Sequence, residues 1–223
     1  MAPNVLIIDA AYIDRVAAAF RQHFGAELKR ELPKADLAQW LVCMALDAEL
    51  VGVEEEAKGA STEANGEAEV ADADVQCIFI HDRETKVMQH VAPGNFSQEI
   101  DGKAFAEPGL GEFAMACCPV ERVTTLEELC EESLQAVLDD KKVRRVAVVY
   151  DFDGTTPEST FLTKRITKLC AKQGKAEPGD TEQKKAPKDV TLFTMQPLEG
   201  EGFAQQVLGY SLLAALGISG EEV

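Results

Sequence analysis

The stretch of sequence that decides the fold is RVAVVYDFDGTTPEST, residues 145–160. It opens with the apolar run VAVVY at 146–150, and a second run of this kind, VLII, occupies residues 5–8. Continuous apolar runs are typical of parallel strands covered on both faces by helices, whereas half-exposed antiparallel strands alternate apolar and polar residues. We therefore predict strands at 4–8 and 145–150, in the interior of a parallel sheet.

The rest of the chain alternates between strand-like and helix-like segments. Further strands are predicted at 75–81, 112–120 and 190–195. Apolar residues at helical spacing predict four helices. The first spans about 36–50, the second follows a Thr124 to Glu127 capping box, the third runs from Pro157 through Leu169, and the last spans 203–216. This order predicts one doubly wound α/β domain, residues 1–223, with a mostly parallel five-stranded sheet flanked by helices.

Charge is distributed unevenly along the chain. The net charge of −17 opposes unguided binding to nucleic acid or to an anionic membrane. Residues 52–74 contain eight acids and one lysine, which predicts an acidic flexible insertion, and 172–189 is predicted to be a Lys-rich flexible loop. The sequence shows neither a basic amino-terminal signal nor an apolar run of membrane-spanning length, so we expect a cytoplasmic protein.

Three aspartates directly follow the two apolar runs. Asp9 closes VLII, and Asp151 and Asp153 follow VAVVY. In an open α/β sheet, ligands bind beyond the carboxyl ends of the strands, at the point where the strand order reverses. If the two strands are neighbours there, the three carboxylates converge, and such an oxygen cluster suits Mg²⁺ or Mn²⁺.

This arrangement of elements and acids resembles the PIN/NYN superfamily of metal-dependent ribonucleases. In that family the first strand ends in an Asp, here Asp9 in IIDAAYI, and the fourth runs into an acid-x-acid turn, here YDFDGT. A middle acid lies on the helix before the fourth strand, and the candidates are Glu128, Glu131 and Glu132, with Glu131 taken as the tentative ligand. Relatives of the NYN type often carry an Asn three residues after the first Asp, where this chain has Tyr12.

The resemblance implies a Mg²⁺ or Mn²⁺ site in which Asp9, Asp151 and Asp153 activate a water for hydrolysis of single-stranded RNA. It further implies that basic side chains bind the RNA phosphates. The candidates are Lys164, Arg165, Lys184 and Lys185. The domain is then either an active ribonuclease or a degenerate, non-catalytic relative.

A second resemblance rests on fewer residues. VAVVYDFDGTTPES is similar to the first motif of haloacid dehalogenase-like phosphotransferases, in which the first Asp attacks phosphorus and the second passes a proton to the leaving group. Asp151 and Asp153 would take those roles, and Thr194 would supply a phosphate-binding hydroxyl. That family normally opens its domain with this motif, whereas here it lies late in the chain.

A purely structural interpretation stays open for the same aspartates. Asp9 would cap a helix, Asp151 and Asp153 would form an Asx-type turn before Thr156, and the protein would be a non-catalytic interaction module that binds a protein partner through its acidic surface. The segments KADLAQWLVCMALD, TLFTMQPLEG and LGYSLLAALGI also resemble an uncharacterised bacterial family of unknown function, and this resemblance implies no activity.

Overall fold

The computed structural model describes residues 1–52, 73–121, 124–173 and 187–222. Most of the predicted acidic insertion and most of the predicted Lys-rich loop, with Lys184 and Lys185, lie outside the described residues. The described ends of the predicted loop belong to regular structure, because residue 173 closes a helix and residue 189 opens a strand.

The described residues form one seven-stranded sheet and one two-stranded sheet. The large sheet has the order β5-β6-β3-β1-β7-β8-β9, and all its strands are parallel except β5. The strands of this sheet are β1 (Asn4–Asp9), β3 (Val75–His81), β5 (Ala104–Glu107), β6 (Gly111–Pro119), β7 (Arg145–Val149), β8 (Asp189–Thr194) and β9 (Ala204–Val207). The small sheet pairs β2 (Ala35–Asp36) with β4 (Val91–Ala92).

Helices cover both faces of the large sheet. They are α1 (Ala10–Glu27), α2 (Leu37–Asp47), α3 (Leu126–Asp139), α4 (Pro157–Gln173) and α5 (Leu208–Ala215). Helices α1, α2 and α5 pack with Leu6 and Ile8 in one buried cluster, whereas α3 and α4 pack with Val5 and Ile7 in the other. Alternate residues of β1 therefore face opposite helical layers, which explains why its sequence is apolar without interruption.

All five predicted strands are present within a residue or two of their expected limits. The sheet is nevertheless larger than the predicted five strands, because β5 and β9 add one strand at each edge. The predicted closing helix over 203–216 was wrong in its first part, where β9 pairs with β8 and only residues 208–215 are helical. The mostly parallel α/β architecture flanked by helices is confirmed.

Side chains fix the starts of two predicted helices. Asp36 caps α2 by accepting a hydrogen bond from the Gln39 amide at 2.9 Å. The capping box of α3 is formed by Thr125 and Glu128, one residue later than the sequence pattern indicated. No helix within the described ranges is both long and apolar enough to cross a membrane.

Candidate functional site

The site lies where β1 and β7 end. The two strands are parallel neighbours, with Ile8 opposite Val149 in the register. The chain proceeds from β1 outward to β3 and β6 on one side, and from β7 outward to β8 and β9 on the other. The gap between β1 and β7 is thus the point of strand-order reversal, where open α/β sheets bind ligands.

Asp9 closes β1 and starts α1. Its side chain is 1% exposed, and its Oδ1 accepts hydrogen bonds from the amides of Ala11 at 2.9 Å and Tyr12 at 3.1 Å. The predicted role of Asp9 as a helix cap is therefore confirmed. Burial raises the pKa of Asp9 to about 6, although both amides and Arg15 oppose the change, and Asp151 adds to it.

Asp151 and Asp153 form a turn directly after β7. Oδ1 of Asp151 accepts the backbone N–H of Asp153 at 3.2 Å, as the expected Asx-type turn requires. Oδ2 of Asp151 accepts a charged hydrogen bond from Arg15 at 2.7 Å. Burial, and then the charge of Asp151, raise the pKa of Asp153.

Tyr12 and Arg15 connect the two strand ends. The Tyr12 hydroxyl donates to Oδ1 of Asp153 at 3.3 Å, and the guanidinium carbon of Arg15 lies 5.7 Å from the centre of the Tyr12 ring. Both residues project from the first two turns of α1, at i and i+3, and so share one face of the helix. We call Asp9, Asp151, Asp153, Tyr12 and Arg15 the carboxylate cluster.

The sequence analysis did not identify the contribution of Tyr12 and Arg15. The only signal was their position on a helix that begins immediately after Asp9, which carries its first side chains past the end of β1. The partner carboxylates lie more than 130 residues further along the chain.

Two oxygens of the carboxylate cluster are not hydrogen-bonded to the described residues. Oδ2 of Asp9 and Oδ2 of Asp153 accept no hydrogen bond from the described residues, whereas both oxygens of Asp151 are engaged. Within the described ranges, no group of three or more His, Cys, Asp or Glu side chains is already arranged around a common metal position. Mg²⁺ usually binds one or two carboxylates and retains several waters, so this donor set fits such a cation once Arg15 releases Asp151.

The raised pKa of Asp9 makes stability depend on pH. The pKa of Asp9 is about 6 in the folded chain and 3.8 for an aspartate that is not buried, so the folded state binds the proton more tightly than the unfolded state. The stabilising contribution is present below pH 3.8 and is lost as the pH rises through about 6. We expect the free energy of unfolding of the wild type to fall by about 3 kcal/mol relative to Asp9→Asn across this range.

Urea unfolding of both proteins at several pH values measures this difference. Asparagine caps helices about as well as aspartate, so any effect of the substitution on the cap should be the same at every pH. A difference in the free energy of unfolding that does not change between pH 3.8 and about 6 would contradict the burial of an ionisable Asp9.

Of the other predicted residues that the structure describes, Glu131 lies on α3, and Lys164 and Arg165 lie on α4. Glu131 forms an ion pair with Arg165, and the Arg165 guanidinium also lies 5.0 Å from the centre of the Phe161 ring. Glu131 and Arg165 line an open groove of about 520 Å³ that none of the three aspartates lines. Lys164 is exposed on α4. The structure therefore places Asp9, Asp151 and Asp153 at the ends of two neighbouring strands, and pairs Glu131 with a residue predicted to bind RNA.

The model of one protein family, described as a family of unknown function (DUF6621), matches residues 1–223, the whole sequence. Comparisons with curated proteins and with solved structures gave no match.

Proposed function

The chain belongs to this family of unknown function, DUF6621, and we propose that it is a Mg²⁺- or Mn²⁺-dependent hydrolase of single-stranded RNA with a PIN/NYN-like fold. One observation carries the proposal: β1 and β7 lie side by side, so Asp9, Asp151 and Asp153 lie at the carboxyl ends of two neighbouring strands, where Tyr12 contacts Asp153 and Arg15 contacts Asp151. An acid after the first and after the fourth parallel strand of the large sheet is the placement that the PIN/NYN resemblance implies.

The Oδ2 oxygens of Asp9 and Asp153, with Asp151, would hold the cation. When bound, it would polarise the scissile phosphate and favour ionisation of the attacking water. The electrostatics of the carboxylate cluster support this assignment. Burial, together with the charge of Asp151, raises the pKa of Asp9 and of Asp153, and a divalent cation would stabilise both ionised carboxylates. Asp9 must be ionised to bind a cation. Because its pKa is raised to about 6, the proposed affinity for the cation should increase as the pH rises through this value.

RNA phosphates would be neutralised by basic residues around α4. The segment 141–188 contains twelve basic and six acidic residues, although the chain as a whole is strongly acidic. Lys164 is exposed and available for this role, and Lys184 and Lys185 belong to the same segment of sequence. Arg165 would have to exchange Glu131 for a phosphate.

Incubation of the purified protein with a 5′-labelled single-stranded RNA tests the proposal. We expect cleavage with Mn²⁺, none with EDTA, and none by Asp9→Asn. Asp36→Asn is the matched control, because Asp36 also caps a helix through Oδ1 but lies in β2 of the small sheet, at the start of α2. Absence of cleavage by the wild type, or equal cleavage by Asp9→Asn, would favour the non-catalytic interaction module.

The ion pair of Arg15 with Asp151 predicts competition between the arginine and the metal. Removing the guanidinium in Arg15→Ala leaves one oxygen of Asp151 without its counter-charge, so we expect the Mn²⁺ concentration for a half-maximal rise in melting temperature to fall by about threefold to tenfold. Arg30→Ala is the control, because Arg30 forms a similar exposed ion pair with Glu222 at 3.0 Å. Unchanged or weaker binding by Arg15→Ala would exclude competition.

One observation favours a second candidate function, phosphomonoester hydrolysis of the haloacid dehalogenase type. β8 is the direct neighbour of β7 and ends in the buried Thr194, so a hydroxyl lies at the strand end beside the DFDGT turn. This candidate requires turnover of p-nitrophenyl phosphate that is abolished by both Asp151→Asn and Thr194→Val. If the wild type does not hydrolyse p-nitrophenyl phosphate, this second candidate function is excluded.

A further inference from the structure

A second cavity opens at the carboxyl ends of β3 and β6. Its volume is about 350 Å³, and it is lined by the loop that follows β3, by the π-helical turn Phe96–Ile100 and by the end of β6. His81 and Pro119, the last residues of the two strands, are partners in the register and both line it. None of the residues of the carboxylate cluster contributes to this lining.

Two cationic side chains, Arg83 and Lys86, line the cavity. In the segment HDRETK, residues 81–86, the cavity is lined by His81, Arg83, Thr85 and Lys86, whereas Asp82 and Glu84 are not among the lining residues. Neither Arg83 nor Lys86 forms an ion pair with any described residue. Two uncompensated cations on one cavity of a chain with a net charge of −17 indicate an anionic ligand.

His81 and Phe96 form one wall of the cavity. The His81 ring stacks on Phe96, with the ring centres 4.2 Å apart and the planes 5° from parallel, and its Nδ1 lies 2.8 Å from the Asp82 carbonyl oxygen. Asp101 is the only carboxylate in the lining, and it accepts the Cys117 backbone N–H at 2.8 Å. One oxygen of the Asp101 carboxylate is thus held by a backbone hydrogen bond.

The Cys117 thiol lines the cavity but is not activated as a nucleophile. Cys117 lines it beside His81, the pair of residue types that cysteine hydrolases use. Burial, followed by the charge of Asp101, raises the pKa of Cys117 to about 12, which keeps the thiol protonated at neutral pH. The Cys117 thiol instead lies 3.7 Å from the Phe96 carbonyl oxygen.

We propose that this cavity binds a phosphate monoester, with the phosphate between Arg83 and Lys86 and the rest of the ligand against the His81–Phe96 stack. Two cations match the double charge of a monoester better than the single charge of a phosphodiester. The Thr85 hydroxyl, which also lines the cavity, supplies a further hydrogen-bond donor. The volume suits one nucleotide-sized molecule, which is either free or the phosphorylated end of an RNA strand.

Calorimetric titration in EDTA tests this site independently of any metal. The probes are AMP, adenosine, and a six-residue RNA with and without a 5′-phosphate. We expect AMP to bind, adenosine not to bind, and Arg83→Gln/Lys86→Gln to weaken AMP binding by about tenfold or more. Lys34→Gln/Lys141→Gln removes the same charge from exposed positions elsewhere and should bind AMP like the wild type.

The RNA probes distinguish the two sources of the phosphate. Tighter binding of the 5′-phosphorylated RNA than of both AMP and the unphosphorylated RNA assigns the site to an RNA end, whereas equal binding of the two RNAs assigns it to a free nucleotide. Equal affinity for AMP and adenosine, no AMP binding at millimolar concentration, or AMP binding unchanged in Arg83→Gln/Lys86→Gln would overturn the proposal. Because EDTA removes the metal, each result is independent of the proposed hydrolase activity.

Discussion

Replacement of Asp151 by asparagine is expected to reduce Mn²⁺-dependent cleavage of single-stranded RNA by about a hundredfold or more. The substitution keeps the side-chain shape and the Oδ1 that accepts the Asp153 amide, so the turn after β7 can persist. It removes the negative charge that balances Arg15 and that would balance a metal. The measurement is the initial rate of cleavage at saturating Mn²⁺.

Asp189→Asn is the matched control for this experiment. Its side chain is 85% exposed at the start of β8, at the amino ends of the strands, and its contact with Arg145 is a loose ion pair of 3.9 Å. Cleavage by Asp189→Asn should equal that of the wild type. If Asp151→Asn cleaves as fast as the wild type while its folding is intact, the assignment of the metal site is wrong.

Replacement of Trp40 by alanine is expected to lower the free energy of unfolding by about 3–5 kcal/mol. Trp40 is fully buried on α2, and its indole N–H donates to the Ser211 hydroxyl of α5 at 3.0 Å. The alanine leaves a large cavity between the two helices and removes the donor to Ser211. Guanidinium unfolding followed by circular dichroism measures the difference.

Ser211→Ala separates the two contributions of Trp40. It removes the acceptor of the indole N–H but leaves the ring in place, so we expect a smaller loss of about 1–3 kcal/mol. A loss below about 1 kcal/mol for Trp40→Ala would contradict the packing of α5 on α2. Both variants should retain metal binding at the carboxylate cluster, since Trp40 and Ser211 do not contribute to it.

The central strands could be predicted because burial on both faces leaves an unambiguous pattern. VLII and VAVVY have no polar position, and only a parallel sheet between two helical layers accommodates such runs. The edge strands β5 and β9 left no such signal. Ala204–Val207 is exposed along its whole length, and its sequence AQQV lacks the apolar alternation that identifies a strand.

The start of α3 could not be predicted to the residue from the sequence either. Thr124 and Thr125 are adjacent, and both are followed three residues later by a glutamate, so the sequence pattern alone did not distinguish the two registers. The structure selects Thr125, whose hydroxyl accepts the Glu128 amide at 3.2 Å.

Of the carboxylate cluster, the three aspartates were predictable and their neighbours were not. An acid that follows a buried apolar run is conspicuous, because burying it without a partner is unfavourable. Tyr12 and Arg15 resemble ordinary residues of an amphipathic helix until β7 is placed beside β1. The pairing of Glu131 with Arg165 likewise depends on α3 and α4 being neighbours.

Calorimetric titration of Mn²⁺ into the wild type, Asp9→Asn and Asp151→Asn at pH 7 tests the central claim most directly. If the three aspartates hold one divalent cation, the wild type will bind a single Mn²⁺, and each variant will bind it at least about tenfold more weakly. Absence of Mn²⁺ binding by the wild type, or binding that neither substitution weakens, would contradict the account.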